Sequence, residues 1–184
     1  MELKKPKSFE ELLELQKVLD EEVSKRRNNN FIPRERRELD IFLSLDDEFQ
    51  EWLRELPSEY NFKTWKQKVY SREKEIEEFT DCLFFFAQYQ NTLWNPNPYE
   101  YDDILCTVFD SWGKFYASED LFGEIEKFKF YLWTSDYEVC FDSWIAISKL
   151  RGFTKQEILD TYWNKWQKNI KRIKEDWTLK GDEK

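Results

Sequence analysis

The sequence predicts an all-α fold, a multi-helix bundle, and three observations lead there. Glycine and proline, the residues least compatible with a helix interior, number only 4 and 5 in 184 residues. Apolar residues recur at intervals of three and four through most of the chain, the spacing that gathers them on one helix face. Capping signatures precede several of these stretches, Ser8-Phe9-Glu10-Glu11 and Thr154-Lys155-Gln156-Glu157 among them. An aromatic share of 18%, with 9 Trp and 16 Phe, supplies a large core. The length suits a single domain over 1–184, with a helical insertion at about 91–133.

Taken in order, the first helix starts after Ser8 and carries Leu12, Leu15, Val18, Leu19 and Val23 on one face to about Arg26. Gln16 lies beside that stripe, and the helix alone makes it an ordinary boundary residue. Arg26 to Asn30 reads as a polar loop. Pro33 suits the first turn of a second helix, with Leu39, Phe42, Leu43, Leu45, Phe49, Trp52 and Leu53 at its apolar positions. Glu48 and Glu51 flank that face, whereas Glu55 and Glu59 belong to a solvated surface. Pro57-Ser58 ends the helix, and the aromatic-basic segment Asn61-Phe62-Lys63-Thr64-Trp65 comes next.

A long helix over about Glu73 to Gln90 carries Ile76, Phe79, Leu83, Phe84, Phe86 and Ala87, with Glu78 and Asp81 flanking the stripe. Asn91 to Asn97 reads as the clearest loop. Helices are then expected from Tyr99 to Phe115 and from Ser118 to about Trp133. Ser135-Asp136-Tyr137-Glu138 reads as a capping box for a helix ending near Leu150, which Gly152 punctuates. Thr154 opens a last helix to about Trp177. From Tyr162 to Lys174 it is basic without an acid, and Lys165, Asn169 and Arg172 share one face. That face either receives an anion or is a solvated basic surface suited to the helix dipole.

Composition removes whole classes of function. A net charge of −9 disfavours nucleic acid and anionic membrane as partners. With no histidine, the Ser-His-Asp and Cys-His schemes and the usual zinc sites are gone. Cys82, Cys106 and Cys140 are widely spaced, and no GxxxxGK[ST] loop occurs. The charged N-terminus lacks the apolar segment of a signal peptide, and the longest apolar run, Cys82 to Ala87, is too short to span a bilayer. An intracellular protein is the expectation.

What remains is acid chemistry. Glu48/Glu51 and Glu78/Asp81 are i, i+3 pairs, so each puts two carboxylates side by side on a helix. Laid together, the two helices bring four carboxylates into one space, and four unpaired carboxylates repel unless divalent cations lie between them. One such pair alone occurs by chance on any acidic helix. Two on successive aromatic helices, succeeded by a cationic face, point to Mg²⁺ and a polyphosphate: hydrolysis inside a nucleoside triphosphate.

The ordered set Gln16-x-x-Leu19-Asp20, Glu48-x-x-Glu51, Phe62-Lys63-x-Trp65, Glu78-x-x-Asp81 and Lys165-x-x-x-Asn169-x-x-Arg172 resembles the dimeric all-α dUTPases. These belong to the all-α NTP pyrophosphatase superfamily with the MazG-like and dCTPase enzymes. EFQEW, FKTWK and LRGFTKQEILDTYWNKW are most similar to bacteriophage-type members. The resemblance implies Mg²⁺-dependent cleavage of dUTP to dUMP and pyrophosphate, with dUDP also accepted and Mn²⁺ able to substitute. Glu48, Glu51, Glu78 and Asp81 would hold the metals, and a water near Glu51, the catalytic residue, would attack the α-phosphorus. Lys63, Lys165 and Arg172 would contact phosphates, and Gln16, Asp20, Trp65 and Asn169 the nucleoside. The resemblance also implies a homodimer that completes the bundle, and a cytoplasmic location (the host's, for a phage enzyme). Residues 91–133 are expected to supply part of the dimer contact or a surface for another protein. Asp20 stands where the family often has Asn, and Phe84 where cellular members carry histidine.

Two other readings use the same residues. A sister pyrophosphatase acting on dCTP or another NTP shares the metal chemistry and differs in base. A non-catalytic helical interaction protein shares the fold, but has no reason to keep repelling acids at a buried edge.

Overall fold

The computed structural model describes residues 3–29, 37–93, 104–112 and 120–175. These form seven helices: α1 (Phe9–Asn29), α2 (Glu38–Glu55), α3 (Arg72–Leu93), α4 (Ile104–Asp110), α5 (Leu121–Trp133), α6 (Tyr137–Leu150) and α7 (Lys155–Lys174). Among the described residues there is no strand, so the expected all-α class holds. Pro33, Tyr99 and Trp177 lie outside the described residues.

Local chemistry sets the ends. Thr154 caps α7 through its hydroxyl, which accepts from the Glu157 amide, while Glu157 accepts the Thr154 amide in return, the full capping box. The box at Ser8 is displaced: its hydroxyl accepts the Glu11 amide at 3.2 Å, but the Glu11 carboxylate accepts from Lys7 rather than Ser8. At the α5–α6 corner the cap is Asp136, whose carboxylate accepts the Val139 amide. Ser135 does not cap. It takes φ 60°, and the amides of Ser135 and Asp136 close back on the carbonyls of Leu132 and Tyr131. Gly152 ends α6 by the same motif, at φ 67°, with its amide on Lys149 and that of Phe153 on Ser148.

Two expected loops begin as helix. α1 continues to Asn29, and α3 runs past Asn91 to Leu93. The Asn91 amide group donates to the Leu13 carbonyl at 3.1 Å, so tertiary contact outweighs the residue's weak helix preference.

One aromatic core fixes how the helices lie. Phe79 of α3 stacks on Trp144 of α6 with ring centroids 4.7 Å apart, and the Trp144 indole donates to the Phe79 carbonyl. Phe49 of α2 stacks on Phe128 of α5 at 3.7 Å. All four rings are fully buried, each worth about 2–3 kcal/mol in area alone. Buried Glu75 is held by Arg151 through two bonds of 2.6 and 3.1 Å and by the Tyr70 hydroxyl. This network pins the α2–α3 connection to the end of α6.

The apolar face of α2 differs from the expected one. Ile41 is buried, while Leu39 and Leu43 are half exposed. They lie on a helix joined to α5 by the Phe42–Trp133 ring contact and the Lys129–Asp46 ion pair, and on α5 Phe130 and Trp133 are exposed too.

Candidate active site

The buried stripes of α2 and α3 pack together, so the acids at their edges converge. Carboxylate oxygens of Glu48, Glu78 and Asp81 lie within 4.8 Å of one another. Glu51 is outside that triad and exposed, but adds repulsion to both Glu48 and Glu78. Glu55, expected on a solvated surface, is half-buried, paired with Lys68, and also repels Glu78.

The electrostatics are those of a site short of positive charge. Burial, then repulsion from Asp81, Glu51 and Glu78, pushes the Glu48 carboxyl up to about 8. Burial raises Asp81 to about 6 against the pull of Lys165, and burial also raises Glu78. Lys165 of α7 is the one cation bonded to the triad among the described residues. Its ammonium donates to the Asp81 carboxylate and to the Glu77 carbonyl. Three hard oxygen donors with too few counter-charges fit a divalent cation.

Beside the acids opens a cavity of about 480 Å³ between α1, α2, α3 and α7. Gln16 and Asp20 line it from α1, Glu48 from α2, Asp81, Phe84 and Gln88 from α3, and Asn169 and Arg172 from α7. Gln16 is buried rather than a boundary residue: its Nε2 donates to Asp20 at 2.9 Å, and the Tyr162 hydroxyl donates to its Oε1 at 3.0 Å. Tyr162 is itself stacked on Phe84 at 4.2 Å. The basic face of α7 thus splits in two. Lys165 turns to the carboxylates, while Asn169 and Arg172 turn to the cavity.

Lys63 and Trp65 are not among the residues lining the cavity. They sit in the α2–α3 connection, Lys63 over the Phe62 ring and Trp65 at 74% exposure. Sequence reasoning missed Gln88 and Tyr162. Gln88 had a signal, since it stands seven residues after Asp81 and so on the same face of α3.

A protein-family model described as dUTPase matches residues 8–177. No curated protein matches the chain.

Proposed function

The chain belongs to the dUTPase family, the all-α dimeric family of dUTP diphosphatases, and from that premise we propose that it hydrolyses dUTP to dUMP and pyrophosphate at a Mg²⁺-dependent site. The observation that carries the site is the Glu48, Glu78 and Asp81 cluster, of which Glu48 and Asp81 line a cavity of about 480 Å³. Glu48, Glu51, Glu78 and Asp81 would hold Mg²⁺, or Mn²⁺ in its place. When bound, the cation would supply charge neutralisation on the polyphosphate and lower the pKa of water.

The chain's own residues do the rest. Glu51, exposed beside the triad, orients the attacking water and takes its proton as it approaches the α-phosphorus. Arg172 grips phosphate oxygens by its fork of donors, and Lys165, bonded to Asp81 in the free chain, is placed to turn to phosphate when substrate binds. Lys63 adds a further phosphate contact, and Trp65 a wall for the base or sugar, once their connection folds over the substrate. Gln16, Asp20 and Asn169 address the nucleoside from the cavity wall. The same attack converts dUDP to dUMP and phosphate.

The domain is single, with residues 91–133 as an insertion. Exposed Leu39, Leu43, Phe130 and Trp133 support a homodimer contact, or a surface for a further protein, on the α2–α5 side. No helix among the described residues is long and apolar enough to cross a membrane, and a cytoplasmic nucleotide pool is the expected substrate source.

Pyrophosphate release with Mg²⁺ across dUTP, dCTP, dTTP and ATP tests the reading, with Glu51→Gln as the control. The expected profile favours dUTP, and the variant loses at least about 100-fold in kcat. A flat profile rejects uracil specificity, and an unaffected E51Q rejects the water-activating role. No hydrolysis of any nucleotide returns the chain to the interaction-protein reading.

A further inference from the structure

Three amide and carboxylate groups meet in the cavity wall. Asp20 Oδ1 accepts two bonds, from Gln16 Nε2 at 2.9 Å and from Gln88 Nε2 at 2.7 Å. A carboxylate only accepts, so it dictates which end of each amide faces it. Both side chains must turn their nitrogen toward Asp20 and their oxygen away. For Gln16 that oxygen is used, since Tyr162 donates to it. For Gln88 it is not: among the described residues no donor reaches its buried Oε1. A buried acceptor without a donor is costly, and native interiors rarely leave one. Gln88 lines the cavity, and its Oε1, which has essentially no solvent-accessible surface, can meet a donor there through a small shift of the side chain.

Resting on the nucleotide reading above, we propose that Gln88 is a specificity-determining residue: its Oε1 accepts the imide N3–H of the base, and Asp20 is the positioning residue that locks it oxygen-outward. The chemistry selects between pyrimidines. Uracil and thymine carry a donor at N3, whereas cytosine presents a lone pair there and would face acceptor with acceptor. A site built around one hydrogen bond rejects a ligand lacking it because the site's own group is then stranded. Gln88 therefore separates uracil from cytosine, and does not separate uracil from thymine.

The test pairs kinetics with binding: kcat and KM for dUTP and dCTP with Mg²⁺, and calorimetric titration of dUMP and dCMP, on wild type, Gln88→Met and Asp20→Leu. Methionine keeps the length and removes the acceptor. Gln88→Met should raise KM for dUTP about 10- to 100-fold, weaken dUMP to match, and improve dCTP and dCMP by removing the opposed acceptor, so that the dUTP-to-dCTP ratio narrows. Asp20→Leu leaves the Gln88 amide free to turn, so it should narrow the dUTP-to-dCTP ratio by letting Nε2 face the cytosine lone pair. If Gln88→Met does not fold, judged by near-ultraviolet dichroism, the Asp20→Leu ratio decides. Wild type that hydrolyses dUTP while both variants keep its base ratio overturns the proposal and leaves the pyrophosphatase reading standing. Wild type that binds neither dUMP nor dCMP overturns both.

Discussion

Replacing Glu48 by Gln should make the metal-free protein more stable at pH 8 while removing its response to Mg²⁺. In the folded chain the Glu48 carboxyl is held at about 8, first by burial and then by Asp81, Glu51 and Glu78, against 4.5 when free. The folded state therefore binds this proton more tightly than the unfolded state. Stability from this group is fully present below about 4.5 and is lost as pH rises through about 8. Taken at face value the shift amounts to about 5 kcal/mol, and solvent screening at a partly exposed group reduces it to on the order of 2–3 kcal/mol. Glutamine is nearly isosteric and neutral at every pH, so it avoids that loss. Urea denaturation in EDTA at pH 5, 6.5 and 8 measures it: the variant should gain over wild type as pH rises and match it at pH 5. Added Mg²⁺ should then raise the wild-type midpoint at pH 8, since a ligand of the native state stabilises it by mass action. A variant no more stable than wild type at pH 8 would show that burial and repulsion do not penalise the Glu48 charge. A variant that keeps the full Mg²⁺ response would remove Glu48 from the metal ligands.

The same geometry sets two further outcomes. Lys165→Met removes the cation bonded to Asp81 and to the Glu77 carbonyl, so the metal-free stability should fall by about 1–2 kcal/mol at pH 8. The fall should be smaller at pH 5, where Asp81, raised to about 6 by burial, is protonated; equal losses at both pH values, read by thermal melts in EDTA, would refute the pairing. Arg151→Met strands the fully buried Glu75 carboxylate, at a cost of about 3–5 kcal/mol. The double variant with Glu75→Gln should recover most of that loss in chemical denaturation, and no recovery would place the cost in packing rather than charge.

Much of this was legible in the sequence because helix periodicity and capping are local. Thr154 and Glu157 cap α7 as their spacing says, and the two acidic pairs stand at the edges of their buried stripes. What was not legible depended on contacts between helices. Gln16 looked like a boundary residue because the group that buries it, Tyr162, is 146 positions away. Glu55 looked solvated because its counter-charge comes from Lys68 on a connection that folds back. Ser135 and Asp136 are equally good caps by residue type, and only the end of α5 decides between them, by taking Ser135 as its own left-handed terminus. Leu39 and Leu43 matched the stripe by spacing, yet α2 turns Ile41 inward in their place.

The aromatic core explains why a site this repulsive can exist in a chain of this size. Carboxylates that repel will separate if their helices can move, or take up protons if they cannot. The stacked pairs Phe49–Phe128 and Phe79–Trp144 sit one residue from Glu48 and from Glu78, and tie α2 to α5 and α3 to α6. The helices are thus held from behind, and the carboxyl pKa values rise, through burial first and repulsion after it, instead of the acids moving apart. Protons and Lys165 offset part of the charge in the metal-free chain, and both are displaceable. A divalent cation that replaced them would gain the full field of the cluster, so the apolar packing that buries the acids would also set the affinity of the proposed metal site.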